Sequence, residues 1–380
     1  WLYTGNMNTG RSVHVSSILT TEMVLINGGF VDGDSDILTE LYDPSTGSWT
    51  TTGNMISARY YHTASVLTDG KVLVAGGGDR RDPLASAELY DPSTGSWTNT
   101  GNMSTKRSSH TASTLANGNI LIAGGINGDS LVTSELYNPS TGLWTNTSSM
   151  NDARAFHTAS VLTDGKVLVV GGDEEVGRRR LSSAELYDPS TRLWTKTGSM
   201  NNPRTGHTAS VLTNGTVLVA GGFGDGELSS AELYDPLTGS WTNTGSMNDA
   251  RDLHTASVLT NGKVLVVGGV NGGHSRILFS AELYDPLTGL WTKIRSLNIA
   301  RRFHTASVLT NGNVLVVGGL NFSDSSNSAE LYDPSIDGCT DVTNKTTKHV
   351  KNTTSILKND NVLFPGDRNY FDLNNTELFS

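Results

Sequence analysis

The residues best suited to chemistry are histidines that recur in register along the chain. Imidazole nitrogens are common Zn²⁺ ligands, so a repeated histidine raises the hypothesis of a metal site. A metal ion would need several of these nitrogens within about 2 Å of one point, whereas one histidine per repeat should be distributed around the molecule. We therefore predict structural hydrogen bonds and no metal site. The histidines are His14, His62, His110, His157, His207, His254 and His304.

An arginine three positions before each histidine is also predicted to be structural. The guanidinium group is well shaped for bidentate contact with a carboxylate. Each repeat carries one glutamate in a Glu-Leu-Tyr triplet, which is the candidate partner. The arginines are Arg11, Arg59, Arg107, Arg154, Arg204, Arg251 and Arg301, and the glutamates are Glu40, Glu88, Glu135, Glu185, Glu232, Glu282 and Glu330.

These motifs belong to a repeat of 47 to 50 residues that also contains a Gly-Gly pair and a tryptophan. Each copy reads as four short strands: HTASVL, KVLVAGG, SAELYDP and a strand that begins at the tryptophan. Asp-Gly or Asn-Gly between the first two strands favours a tight hairpin. Pro-Ser-Thr-Gly between the last two favours a turn. A four-stranded antiparallel unit repeated in this way predicts an all-β propeller.

The combination of R-x-x-H, Gly-Gly, a tyrosine and a tryptophan at this period resembles the kelch repeat. The resemblance covers essentially the whole chain. It implies a β-propeller that works as an adaptor or scaffold beside other domains.

We predict a single propeller over residues 1–380 with eight blades, and seven blades as the alternative. Residues 340–380 read as a degenerate last blade, because Asn352-Thr-Thr-Ser-Ile-Leu aligns with the first strand of the preceding repeat. Residues Trp1–Asn6 match a fourth strand. We expect this N-terminal strand to complete the C-terminal blade, because closure removes an exposed sheet edge.

Composition narrows the classes of partner. A net charge of −10 argues against nucleic acid and against an anionic membrane surface. The apolar runs are too short for a membrane helix.

The single cysteine, Cys339, permits no disulfide within the chain, whereas several N-x-Ser/Thr sequons would suit a secreted protein. The compartment stays open between extracellular and cytoplasmic, and we expect a monomeric ring.

The positions that differ between repeats are the candidate binding residues. The loops after Gly-Gly and the segments that lead into R-x-x-H should share one face of the propeller, which we call the loop face. Variable loops commonly carry function, and aromatic residues and arginine are typical binding hot spots. Packing without a ligand and simple solvated charge are the alternatives. The predicted binding residues are Tyr60, Tyr61, Phe156, Asp252, Arg302 and Phe303 at the channel mouth, and Arg80, Arg81, Arg178, Arg179 and Arg276 in the loops.

The expected function is a non-catalytic module that binds a protein, peptide or glycan on the loop face without a cofactor. An extracellular carbohydrate-binding or adhesion domain is the alternative. Some kelch-like propellers are similar to galactose oxidase, a copper enzyme with a tyrosine joined to a cysteine. Here Cys339 occupies a predicted outer strand, far from a central copper site. A hydrolase would need a nucleophile, a base and an orienting group, and the repeated Ser and His do not supply that pattern.

Overall fold

The computed structural model describes residues 1–31, 34–79, 82–175, 177–321 and 324–336, and the backbone of three short strands beyond them. Every regular element in these ranges is a β-strand. None of the described residues forms a helix that is long and apolar enough to cross a membrane.

Seven four-stranded antiparallel sheets form the blades of a propeller. The first strands of neighbouring blades lie side by side and surround the central channel. The first strands are Val15–Ile18, Thr63–Val66, Thr111–Thr114, Thr158–Val161, Thr208–Val211, Thr255–Val258 and Thr305–Val308. The second strands are Val24–Asn27, Val72–Ala75, Ile120–Ala123, Val167–Val170, Val217–Ala220, Val264–Val267 and Val314–Val317.

The remaining two strands of each blade lie progressively farther from the channel. The third strands are Thr39–Asp43, Ala87–Asp91, Ser134–Asn138, Ala184–Asp188, Ala231–Asp235, Ala281–Asp285 and Ala329–Tyr332. The outer strands are Ser48–Thr51, Ser96–Asn99, Leu143–Asn146, Leu193–Lys196, Ser240–Asn243, Leu290–Ile294 and, for the seventh blade, Leu2–Tyr3.

Short hairpins follow several Gly-Gly pairs on the loop face. They are Phe30–Val31 with Asp34–Ser35, Ile126–Asn127 with Asp129–Ser130, Asp173–Glu175 with Arg179–Arg180, Val270–Asn271 with Arg276–Ile277, and Leu320–Asn321 with Asp324–Ser325.

The ring closes after seven blades. The N-terminal strand pairs with the third strand of blade seven, with Leu2 opposite Leu331. Blades seven and one are in direct contact, because the Val13 N–H donates to the Phe303 carbonyl at 3.0 Å. The prediction of eight blades is therefore wrong, and the alternative of seven describes the ring. The N-terminal strand is an outer closing strand as predicted, but it completes the seventh blade.

The physical reason for this closure is the side chain of Trp1. Its ring lies 5.2 Å from that of Tyr332, and its Nε1 donates to the Arg295 carbonyl at 2.7 Å. Trp1 thus makes the contacts that the tryptophans make in other blades. Cys339, which aligns with those tryptophans, lies outside the described residues.

Three further strands form a sheet of their own: Ser355–Ile356, Val362–Pro365 and Thr376–Phe379. Within the described part of the chain, they pair with no strand of the ring. Most of the predicted degenerate blade over 340–380 lies outside the described residues.

The apolar core lies between the blades. Leu73 and Ala87 of blade two are buried against Ile120, Ile122 and Tyr137 of blade three. Burial of such surfaces stabilises a ring of units that could not fold singly.

The Tyr–Trp pair of each complete repeat joins adjacent blades. Trp97 lies 5.1 Å from Tyr90, and its Nε1 donates to the Gly53 carbonyl of the preceding blade at 2.8 Å. The Tyr90 hydroxyl lies 2.9 Å from the Thr52 hydroxyl of that blade. The two rings of blade two are therefore buried while their polar atoms are satisfied, as these residue types favour.

Candidate functional site

The repeated arginines and glutamates form a buried ion pair in every blade, as predicted. Arg59 has no exposed surface, and its Nη2 lies 2.6 Å from Glu88 Oε1. Its Nη1 donates to the Gly76 carbonyl at 2.7 Å and to the Ser86 carbonyl at 3.1 Å. Glu88 also accepts backbone N–H groups of the segment that enters the blade. Together these bonds fix the start of the blade to its Gly-Gly corner.

The repeated histidines bridge adjacent blades through hydrogen bonds. His110 Nε2 lies 2.9 Å from the Thr63 hydroxyl of the preceding blade. Blade one has Val15 in place of that threonine, and there His62 Nε2 lies 2.7 Å from Asn27 Oδ1 instead. Burial, together with the charge of Arg107, lowers the pKa of His110 to about 3. The histidines therefore form structural hydrogen bonds, as predicted, and the lowered pKa keeps His110 neutral.

The residue just before each repeated histidine has a left-handed backbone conformation. Its φ lies between 51° and 61° in all seven blades, although only blade five has a glycine there. Such a conformation is costly for bulky side chains. A chain of backbone hydrogen bonds around the channel mouth supports it. Six such bonds are present: Val13 to Phe303, Phe303 to Leu253, Leu253 to Gly206, Gly206 to Phe156, Phe156 to Ser109, and Ser109 to Tyr61.

This conformation directs three aromatic rings over the channel. The ring of Tyr61, in blade two, lies 5.6 Å from Phe156 of blade four and 6.2 Å from Phe303 of blade seven. These blades are not neighbours, so the rings meet across the mouth. Tyr60 extends the cluster, with its ring 5.5 Å from Tyr61 and 5.7 Å from Phe30. We call Tyr60, Tyr61, Phe156 and Phe303 the mouth cluster.

The mouth cluster is half-buried and lies beside the guanidinium group of Arg302. Burial raises the pKa of Tyr61 to about 12, and the nearby Arg302 opposes that rise. The Arg302 guanidinium carbon lies 5.7 Å from the centre of the Phe303 ring. The mouth cluster and Arg302 are thus brought together at the centre of the loop face, as the sequence predicts. Phe30, which packs against Tyr60, is a neighbour of the mouth cluster that only the structure identifies.

The predicted loop arginines that the structure describes lie after the Gly-Gly pairs of blades four and six. Arg178 and Arg276 are exposed. Arg179 is exposed too and pairs with Glu174 at 2.7 Å. Arg80 and Arg81 lie outside the described residues.

Asp252, the remaining predicted site residue, is only 3% exposed. Its carboxylate lies 3.7 Å from His274 Nδ1, and Glu227 completes a group whose ligand atoms lie within 4.8 Å of one another. Burial raises the pKa of Asp252 to about 6, although the His274 charge opposes this. Sequence reasoning missed Glu227 and His274. The available signal was Asp252 itself, because no other repeat has an acid at the equivalent position.

Comparison with protein families and solved structures agrees with this architecture. The model of the KLHDC2/KLHL20/DRC7 Kelch-repeats domain matches residues 2–172 and 99–269. The Kelch motif matches residues 253–298 and 301–345. No curated protein matches the chain.

The solved structures that share the fold include two at low sequence identity. A fungal alcohol oxidase of the AA5 family, in complex with copper, is 19% identical with a TM-score of 0.71, over 87% of this chain and 75% of that one. The protein YjhT is 16% identical with a TM-score of 0.61, over 77% of this chain and 99% of that one. The matched family models, the seven blades and the repeated Arg–Glu and Tyr–Trp pairs lead to one conclusion: the chain belongs to the kelch-repeat family.

Proposed function

We propose that this propeller is a non-catalytic module that binds a protein or peptide at the mouth cluster and Arg302. The observation that carries the proposal is the convergence of aromatic rings from blades two, four and seven with one guanidinium group on the loop face. Aromatic residues give large contact area at low entropic cost, and arginine is enriched among binding hot spots. Kelch-repeat propellers commonly bind protein partners, which favours the same class of function.

The rigidity of the site supports recognition. Backbone bonds tie the mouth residues to the loops after Gly-Gly: the Tyr60 N–H donates to Gly78 O at 3.0 Å, and the Gly78 N–H donates to Tyr60 O at 2.8 Å. A preformed site loses little conformational freedom on binding.

The repeated histidines and arginines favour a non-catalytic role, because His Nε2 bonds to the neighbouring blade and the arginine Nη atoms bond within their own blade, as His110 and Arg59 do. The likeness to a copper-containing alcohol oxidase, at 19% identity, concerns the fold alone.

A peptide display library presented to the full chain tests the proposal. We expect selected peptides to bind the wild type and to lose at least about tenfold in affinity for a Tyr60→Ala/Arg302→Ala variant, as for interface hot spots. The matched control is Leu237→Ala/Leu287→Ala, which removes two side chains that are 96% exposed in turns of the opposite face. Thermal melts of both variants verify that the fold is intact.

Equal binding by the mouth variant and the wild type would contradict a site at the mouth cluster. A glycan array probed with the same three proteins distinguishes the carbohydrate alternative. Glycan binding that depends on Tyr60 and Arg302, without any peptide binding, would reassign the partner class.

A further inference from the structure

The group Glu227, Asp252 and His274 joins three segments of blades five and six on the loop face. Glu227 follows the Gly-Gly pair of blade five, His274 follows that of blade six, and Asp252 precedes the first strand of blade six. One nitrogen and carboxylate oxygens of these side chains lie within 4.8 Å of one another. Carboxylate oxygen and imidazole nitrogen are both ligand types of divalent transition metals.

The Asp252 carboxylate is the independent sign that something binds here. Its side chain is only 4% exposed, and its Oδ1 has no hydrogen-bond partner among the described residues. A buried carboxylate without a full set of partners is costly. The equivalent positions in the other repeats are Ser12, Tyr60, Ser108, Ala155, Thr205 and Arg302. An acid is therefore not required by the fold at this place.

The other two ligands are held in position by neighbouring groups. The Glu227 carboxylate accepts the backbone N–H of His274 at 2.9 Å and of Gly273 at 3.2 Å. The His274 ring stacks on Phe223, with ring centres 5.1 Å apart and planes 23° apart. Supporting contacts of this kind orient metal ligands in proteins.

The ligand atoms of the three side chains, which lie within 4.8 Å of one another, need to move only slightly closer together to hold an ion. Ligands at about 2.0–2.1 Å from a tetrahedral Zn²⁺ are separated by about 3.3 Å. His274 is 44% exposed, so an ion can reach the group from solvent. Arg302, whose charge acts on Asp252, reduces the local negative charge but leaves it favourable for a divalent cation.

We propose that Glu227, Asp252 and His274 form a binding site for one divalent transition-metal ion of the Zn²⁺ class. The imidazole ligand favours Zn²⁺ over Mg²⁺ and Ca²⁺, which prefer oxygen ligands. Three protein ligands leave a coordination position for water or for a side chain of a bound partner. The site adjoins the mouth cluster but does not depend on partner binding there.

Equilibrium dialysis of the full chain against Zn²⁺ at pH 7.5 tests the proposal. We expect one ion per chain, and affinities at least about tenfold weaker for His274→Ala and for Asp252→Asn. Asp225→Asn is the matched control, because Asp225 is an exposed acid of the same loop as Glu227; it should change the affinity by less than about twofold. Mg²⁺ should not compete. Thermal melts without metal verify that each variant is folded.

Co²⁺ in place of Zn²⁺ gives a second measurement that reports the ligands. Nitrogen and oxygen ligands should give weak visible bands that are lost in His274→Ala, without the intense thiolate band that Cys339 would produce. Absence of saturable Zn²⁺ binding, a thiolate band, or equal binding by wild type, His274→Ala and Asp252→Asn would each overturn the site.

Discussion

At the residue scale, the buried Arg–Glu pairs are expected to be the most sensitive positions. Glu88→Gln removes the charge that faces Arg59, and neither side chain has exposed surface. An uncompensated buried charge costs about 3–5 kcal/mol in the free energy of unfolding. Urea denaturation of the wild type and of Glu88→Gln measures the difference in the free energy of unfolding.

The matched control is Glu174→Gln. Glu174 pairs with Arg179, whose side chain is 67% exposed, at a similar distance of 2.7 Å. Solvent screens this pair, so we expect a loss below about 1 kcal/mol. Similar losses in the two variants would show that burial does not determine the contribution of the pair.

The buried histidines should make stability depend on pH. Burial lowers the pKa of His14, His110 and His207 to about 3. The unfolded chain takes up these protons below about pH 6.5, whereas the folded chain does so only near pH 3. Stability is therefore fully present above pH 6.5 and is lost as the pH falls from 6.5 toward 3. At pH 5.5 each such histidine should cost about 1 kcal/mol relative to pH 7.5.

Urea denaturation at pH 7.5 and pH 5.5 checks this expectation, with His110→Gln as the comparison. The variant should lose less stability between the two pH values than the wild type, because one titrating group has been removed. The same pH dependence in both proteins would contradict a neutral His110.

The sequence predicted these residue roles because each residue type recurs in every unit. It could not predict the left-handed conformation of Tyr61 or Phe156, since bulky residues disfavour positive φ. It also could not reveal that Asn27 takes over the hydrogen bond to His62 in blade one, where Val15 stands in place of the threonine. That bond depends on contact between blades.

At the element scale, two glycines separate conformational cost from steric cost. Gly206 has a φ of 61°, and a Cβ there would meet Leu253 at an ordinary 3.5 Å. We expect Gly206→Ala to cost about 1–2 kcal/mol from conformation alone.

Gly77 has a φ of 88°, and a Cβ there would lie 2.7 Å from both His62 Cβ and Tyr60 O. Gly77→Ala should therefore cost more, at least about 3 kcal/mol. Denaturation midpoints of the two variants measure the difference, and equal costs would contradict the close approach at the Gly-Gly corner.

Strand assignment from the sequence was accurate because turn residues mark each boundary. The mouth cluster was partly predictable, since the variable positions of the repeat placed Tyr61, Phe156 and Phe303 on one rim. Contact between their rings across the channel was not predictable, because it depends on blade number and on the left-handed backbone.

At the scale of the whole molecule, the eight blades predicted from the sequence exceed the seven blades of the ring. Residues 340–380 align with a repeat, and Trp1–Asn6 align with an outer strand, so both ends suggested one shared blade. Pairing of Leu2 with Leu331 shows that the N-terminal strand instead completes blade seven. Sequence similarity identified the strand correctly, but only spatial pairing shows which sheet it joins.

The most direct test of the seven-bladed closure is the thermal unfolding of a chain that ends at Ile336. Since Trp1 already supplies the outer-strand contacts to Tyr332 and Arg295, this chain should unfold cooperatively with a midpoint within about 2 °C of the full chain. Removal of residues 1–6 should lower the midpoint clearly, because it exposes the edge of blade seven. An unfolded 1–336 chain, together with an unaffected chain lacking residues 1–6, would contradict closure of the ring by the N-terminal strand.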